Sequence, residues 1–438
     1  MVPSPKMPPK YNFFRGHPSP YLLPTKEVLE ATTKVYNRVI ENENCYDDVF
    51  NRHPLQYGLG LGNEEVRQAI ADWNNRCFEM DVRSEANCIN LSNGASYGVM
   101  NILAQTTSPH NGITRRAFLV TPTYFLINST FIDAGFGGKL TGIEELSDGQ
   151  LDLDEFASKL QYYDSLEEIK PPRPEDLEAI QHPSKVQKKV YRYVLYLTPT
   201  FSNPRGGTLT LATRHKLIEL ARKHDVLIIC DDVYDLLSYK SDKLVPRLVY
   251  CDKQTLTDTQ AYGNTVSNAT FSKLAGPGLR VGWQETVSPK LVTQIHYGGA
   301  NISGGAPSHT NSVIIGEMVK TGAMDNIVNN LCEVYSERAL ALKEAVEKYM
   351  PRGTRLDGGD GGYFVWITLP DGYDCRVICE MAAKQGLILA NGDHFEVVGD
   401  SRGWGAQAAR LSISFLSKTT IVEGIKLWGN ICKTYNQL

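Results

Sequence analysis

The 438-residue chain lacks the features that would let it work on a large charged surface. Lys and Arg number 45 against 49 Asp and Glu, a formal net charge of −4. No basic field is therefore present to gather nucleic acid or an anionic membrane, and any phosphate must be held by a local pocket. No apolar run approaches the roughly 20 residues needed to span a bilayer. The opening MVPSPKMPPK also lacks the apolar stretch of a secretory signal. These absences predict a cytoplasmic protein that enters no membrane. The nine cysteines are scattered, with no CxxC and no paired cluster, so they frame neither a disulfide scaffold nor a zinc site. Cys375 and Cys379 share a helical spacing but have no second pair, and no metal is expected. Internal repeats are absent too. What remains, 42% hydrophobic and 21% charged, is close to a globular average, which excludes disorder and fibrous structure and suffices for a core divided between two lobes. The expected partners are small molecules or further copies of the chain.

Short apolar or β-branched runs alternate with helical patterns through the middle of the sequence. Arg116–Thr121, Tyr193–Leu197, Val226–Cys230 and Asn268–Ser272 read as buried strands bounded by turn residues. Between the second and third lies TLATRHKLIELARKHD, a helix with Leu211, Leu217, Ile218 and Ala221 on one face and Thr208 or Thr210 as its N-cap. Strand, helix, strand in that order predicts an α/β protein with a mostly parallel sheet and right-handed crossovers. The charged, proline-bearing stretch from about 158 to 189 reads as a surface excursion. Beyond residue 311 long helical patterns lead to GGYFVWITLP and ARLSISF, the strands of a second lobe. The predicted division is an arm and part of the small domain over 1–50, a large domain over 51–310 and a small domain over 311–438.

Several segments carry chemistry. Ser92-Asn-Gly-Ala-Ser-Tyr97 opens a helix, and the free N–H groups of such a start can hold a phosphate, although an ordinary capped helix has the same look. Tyr57-Gly-Leu-Gly-Leu-Gly62 lacks the preceding strand and following acid of a dinucleotide site and reads as a tight chain reversal. Asn203, in Phe201-Ser-Asn-Pro-Arg-Gly-Gly207, follows a strand end, where α/β proteins bind ligands. Cys230-Asp-Asp-Val-Tyr234 sets carboxylates after a buried run, a costly placement unless they are paired or work on a cation. The most specific segment is Thr270-Phe-Ser-Lys-Leu-Ala-Gly-Pro-Gly-Leu-Arg-Val-Gly-Trp283. It sets an amine, hydroxyls and an arginine around one pocket, and a desolvated lysine near other cations becomes a Schiff-base nucleophile.

The order SNGAS, TPTYF, NPRGG, DDVY, FSK…GLRVGW, GGYFVW and ARLSISF resembles the class I/II aminotransferases of the pyridoxal-phosphate fold-type I superfamily over nearly the whole chain. The Lys273-to-Arg280 step, the DDxY element and GHPSPYLLP look most like the kynurenine/2-aminoadipate aminotransferase branch and its fungal relatives. The resemblance implies a three-layer fold with a smaller C-terminal α/β domain, pyridoxal 5′-phosphate as cofactor, and transfer of an amino group from an α-amino acid to a 2-oxo acid. Elimination of a β-substituent, as in a carbon–sulfur lyase, and a cyclising reaction of fungal secondary metabolism use the same constellation, and stay open as alternatives.

Residue by residue, the resemblance implies that Lys273 holds the cofactor as an aldimine and then serves as base in quinonoid chemistry. Asp231 would pair with the pyridine nitrogen, and Asn203 and Tyr234 would bond the ring oxygen. Ala95, Ser96, Thr270, Ser272 and Arg280 would hold the phosphate, while Tyr124 would stack on the ring. Tyr57 would reach the phosphate of the neighbouring subunit in a homodimer, and Arg410 would clamp the substrate carboxylate. Two departures stand out: Thr270 replaces the usual serine, and Arg205 replaces the usual threonine after Asn-Pro. The glycine-rich run from Tyr297 to His309 is expected at the site entrance. Phe13, Phe14 and Tyr21 are read as docking an N-terminal arm or favouring bulky donors, and Arg15 as a possible contact for a distal carboxylate.

Overall fold

The computed structural model describes residues 10–42, 52–166, 188–240, 243–258, 261–304 and 308–436. Its centre is a seven-stranded sheet of β2 (Ile89–Ser92), β3 (Arg116–Thr121), β4 (Leu140–Glu144), β5 (Tyr193–Leu197), β6 (Val226–Asp232), β7 (Thr265–Thr270) and β8 (Gly282–Thr286). The spatial order is β2-β8-β7-β6-β5-β3-β4. Neighbours from β7 to β4 are parallel, and only β8 runs antiparallel to its two neighbours. Strands β5, β6 and β7 are buried at every residue, as expected of a parallel sheet covered on both faces.

Strands β3 and β5 occur where their composition predicts, β6 continues two residues past Cys230, and β7 begins at Thr265, ahead of the predicted Asn268. The fourth run ends as a strand at Thr270, and Phe271–Lys273 forms a 3₁₀ turn. The turn arises because the Thr270 hydroxyl accepts the Ser272 N–H, drawing the chain out of the ladder. The helix after β5 spans Leu211–His224 with Thr210 as its N-cap. Leu217, Ile218 and Ala221 are buried as expected, but Leu211 is exposed, because it sits in the first turn, ahead of the face that meets the sheet. Of the supposed excursion over 158–189, the first part belongs to the helix Leu153–Ser165; residues 167–187 lie outside the described residues.

A second, antiparallel sheet is made of β9 (Arg355–Gly358), β10 (Phe364–Thr368), β12 (Ala390–Asn391) and β13 (Ala408–Ser412), in the order β12-β13-β10-β9. Helices Ala323–Tyr349 and Lys418–Tyr435 pack with it. The N-terminal segment joins this end of the molecule: β1 (Tyr11–Asn12) pairs in parallel with β11 (Leu387–Ile388). Phe13 is fully buried, and its ring fills the space a side chain at Gly424 would need. One hydrophobic cluster runs from Phe13 through Tyr234, Phe271 and Trp283 to Tyr363 and Trp428, so the two sheets share buried contacts above which a cavity opens. Among the described residues no helix is long and apolar enough to cross a membrane, and no group of three His, Cys, Asp or Glu side chains could hold a metal.

Candidate active site

A cavity of about 410 Å³ lies at the carboxyl ends of β5, β6 and β7, the edge where open parallel sheets expose converging loops. Lys273 ends the 3₁₀ turn after β7, and its carbonyl accepts a bond from the Tyr363 hydroxyl at 2.6 Å. Its Nζ lies 3.4 Å from the Gly16 carbonyl and over the rings of Tyr234 and Tyr363, at 5.7 and 5.5 Å. Burial pushes this amine down to about 8; Asp231 opposes the shift, and Arg410 and Arg280 add to it. A lysine so placed is neutral far more often near pH 8 than one on the surface.

Asp231 lies in β6 and lines the cavity floor. The Tyr196 hydroxyl donates to its Oδ2 at 2.7 Å and the Asn268 amide to its Oδ1 at 3.4 Å. Both donors are neutral. Burial pushes the carboxyl up to about 6, against those bonds and the nearby Lys273. Tyr196 and Asn268 escaped the reading of the sequence. The available signal was a polar Asn inside a strand whose residues are all buried, since an amide there must find partners. Tyr234 and Tyr124 line the same cavity, and burial pushes the Tyr124 phenol up to about 12 and that of Tyr234 well above its usual value.

At one end of the cavity the helix Ala95–Thr106 begins without a side-chain cap, leaving first-turn N–H groups at Ala95 and Ser96 available to an anion. Thr270 and Ser272 face this end, as does Arg280, whose Nη1 lies 3.5 Å from the Ser272 hydroxyl and whose Nη2 donates to the Asn93 carbonyl at 3.2 Å. Gly94 precedes the helix with φ 86°, and a Cβ there would lie 2.5 Å from Arg280 Nη2. Gly94→Ala is therefore expected to lower affinity for a phosphate-bearing ligand about tenfold, through left-handed backbone strain and displacement of the guanidinium. An unchanged dissociation constant by fluorescence titration would contradict this.

At the other end, Arg410 projects from β13. Its Nη1 donates to Asn203 Oδ1 at 3.1 Å and its Nη2 to the Phe14 carbonyl at 2.7 Å. Its Nε is buried without a partner. The guanidinium lies 4.0 Å from the Phe364 ring centroid, and burial pushes its pKa down to about 10. Phe14 and Arg15 also line the cavity, whereas Tyr21 is 70% exposed and its hydroxyl meets Arg338.

The structure thus brings together in one cavity every residue that the resemblance places at the chain's own site. Tyr57 is 78% exposed and does not line the cavity. The described residues of the glycine-rich run, 297–304 and 308–309, do not line it either, although the Ser308 hydroxyl donates to Asn93 Oδ1 at 2.6 Å beside the Gly94 turn. A Cβ on Gly304 would lie 3.5 Å from the Tyr57 ring, so within one chain this part of the run borders Tyr57.

The residues present suit a flat ring bearing a phosphate. There is an anion cradle that a single Cβ would spoil, a buried carboxylate whose two donors are neutral, an amine of lowered basicity, and an orphaned arginine N–H. Comparison with known proteins agrees. The family model "Aminotransferase class I and II" matches residues 30–422, and the chain belongs to that family. It is an enzyme of amino-acid transamination that depends on pyridoxal 5′-phosphate. An uncharacterized protein of Saccharomyces cerevisiae is 48% identical over 436 residues, covering 97% of each chain. The aromatic-amino-acid aminotransferase 1 of Thermococcus litoralis is 26% identical over 412 residues, covering 94% of this chain and 85% of the relative. Among solved structures, a multiple substrate aminotransferase from Thermococcus profundus superposes with a TM-score of 0.75 at 24% identity, over 97% of this chain and 92% of that one; at that identity the likeness concerns the fold.

Proposed function

We propose that this protein transfers the amino group of an α-amino acid to a 2-oxo acid, with Lys273 as the attachment point of the cofactor and the proton carrier. The observation that carries the reading is the placement in one cavity of an amine of lowered basicity, a buried carboxylate and an arginine with an unused N–H. Ala95, Ser96, Thr270, Ser272 and Arg280 hold the cofactor's phosphate, Asp231 its ring nitrogen, Asn203 and Tyr234 its ring oxygen, and Tyr124 its ring face. The bound cofactor supplies an electron sink for negative charge at the donor's α-carbon. Asp231 serves this by staying ionised: an N–H⁺ partner favours its charged form and offsets the desolvation that otherwise pushes its carboxyl up. Arg410 binds the donor's α-carboxylate, a planar fork meeting a planar anion. The carboxylate meets the unpartnered Nε and takes over the Nη2 that the Phe14 carbonyl engages in the free protein, while Nη1 stays on Asn203. Lys273 Nζ would take the donor's α-proton as general base, a task suited to an amine brought near working pH.

The reading includes a homodimer with shared sites. An exposed Tyr57 outside its own cavity supports it, because only a second copy could bring that hydroxyl to a phosphate. It also includes the large and small domains over 51–310 and 311–438, in line with the residue ranges of the two sheets.

Two measurements test this. Initial rates with both substrates varied should give parallel double-reciprocal lines, the pattern of an enzyme that releases its first product before binding the second substrate; converging lines would count against it. The rate of cofactor attachment to the apo-protein should rise with pH through about 8, following Lys273, because the neutral amine is the nucleophile. A rise centred near the 10.5 of an ordinary lysine would contradict the assignment.

A further inference from the structure

Arg205 is a buried cation that the mechanism does not use. It is 4% exposed. Its Nε donates to Asp357 Oδ2 on β9 at 2.9 Å, and its Nη1 donates to the Glu145 carbonyl, one residue beyond β4, at 2.5 Å. The fork therefore ties an edge of the antiparallel sheet to an edge of the parallel sheet, and the loop that carries it is held on both sides. Ser202 donates to Glu145 Oε1 at 2.8 Å and accepts the Gly207 N–H at 3.0 Å. A Cβ on Gly206 would lie 2.7 Å from Gly358 Cα, and one on Gly207 would lie 2.6 Å from Gly149 Cα. These backbone approaches leave the loop little room to shift. Its opposite side presents Asn203 to Arg410. The guanidinium meets the two acceptors from two nitrogens in one rigid plane, a geometry that the single nitrogen of a lysine does not reproduce.

We propose that Arg205 and Asp357 act as one positioning pair for substrate carboxylate recognition: by pinning the 202–207 loop between the two sheets they hold Asn203 against Arg410, which orients the guanidinium toward the donor's α-carboxylate. The inference rests on reading Arg410 as the carboxylate clamp. Neither Arg205 nor Asp357 lines the cavity. Their removal acts through Asn203, so it weakens carboxylate binding in the ground state more than it slows chemistry.

The test uses the holoenzyme with Arg205→Thr, Arg205→Lys, Asp357→Asn, the double variant Arg205→Thr/Asp357→Asn, and Arg410→Gln as a reference. Two quantities are read: kcat and KM for an amino-acid donor, and the dissociation constant of propanoate, an unreactive carboxylate, followed through the cofactor absorbance band. Arg205→Thr and Asp357→Asn should each raise KM and the propanoate constant about tenfold, the worth of one charged hydrogen bond, with kcat within about twofold. Arg205→Lys should fall between these and the parent. The double variant should be no worse than the weaker single, because members of one device are not additive. Unchanged KM and propanoate binding, or a double variant whose losses multiply, would overturn the proposal. Should Arg205→Thr not fold, Asp357→Asn and Arg205→Lys carry the same comparison. Arg410→Gln separates the two readings. If it leaves propanoate binding intact, the clamp itself is wrong; if it abolishes binding while the Arg205 and Asp357 variants do not disturb it, only the positioning role fails.

Discussion

Lys273→Ala is expected to lower turnover at least about 10⁴-fold, because it removes both the attachment point of the cofactor and the base that moves the α-proton. The loss should not come from unfolding. Its Nζ makes one long bond to the Gly16 carbonyl and lies over two rings, and the Asp231 carboxyl that it leaves behind keeps the Tyr196 and Asn268 bonds. The melting temperature of the apo-protein should therefore change little. Borohydride treatment followed by peptide mapping checks the assignment: the parent should carry reduced cofactor on the peptide containing Lys273, and the variant should carry none. A label at another lysine, with activity retained, would move the chemistry elsewhere.

Asp231→Asn is expected to have the next largest effect, a fall of about 10²- to 10⁴-fold in kcat with a smaller change in KM. The amide keeps the shape of the carboxyl and can still meet the Tyr196 hydroxyl, but it cannot carry the negative charge that balances a protonated ring nitrogen. The pH dependence follows from the same group. In the free protein burial holds the Asp231 carboxyl near about 6, so the ionised form that attracts a cationic ring nitrogen is lost as pH falls through 6. Cofactor affinity of the parent should thus weaken below pH 6. The groups facing Asp231 are Tyr196 from β5, Asn268 from β7, Lys273, and the phenols of Tyr124 and Tyr234; of these only Lys273 titrates anywhere near that range, on the alkaline side. The acid limb should vanish in Asp231→Asn. Its persistence at the same pH would show that another group controls it.

Much of this site was legible because its chemistry hangs on strand ends. Asp231 lies near the end of the apolar strand β6, and Asn203 and Lys273 lie in the loop and turn that follow β5 and β7, so their polar side chains fall on the ligand-binding edge of a parallel sheet. Arg280 and the Gly94 turn were legible for a related reason, since glycine and a helix start announce an anion site. What stayed hidden depends on register and on backbone atoms. Asn268 reaches Asp231 because the two residues are partners across β6 and β7, a pairing that neither strand announces alone. Tyr196 sits one strand further over and looks like any buried aromatic. The Phe14 and Gly16 contacts are made by carbonyl oxygens, which every residue possesses, so no residue type signals them. Arg205 was visible as a departure from the family pattern, yet its meaning depended on Asp357, 152 positions away.

The most direct test of transamination is a half-reaction. The purified holoenzyme is mixed with candidate amino acids in the absence of any oxo-acid acceptor, and the cofactor spectrum and products are followed together. The account predicts one equivalent of 2-oxo acid released per active site, with matching conversion of the cofactor to its amino form and no further turnover until a 2-oxo acid is added. Many turnovers without acceptor, yielding ammonia with pyruvate or a thiol while the cofactor keeps its aldehyde form, would contradict it and identify the enzyme as a lyase.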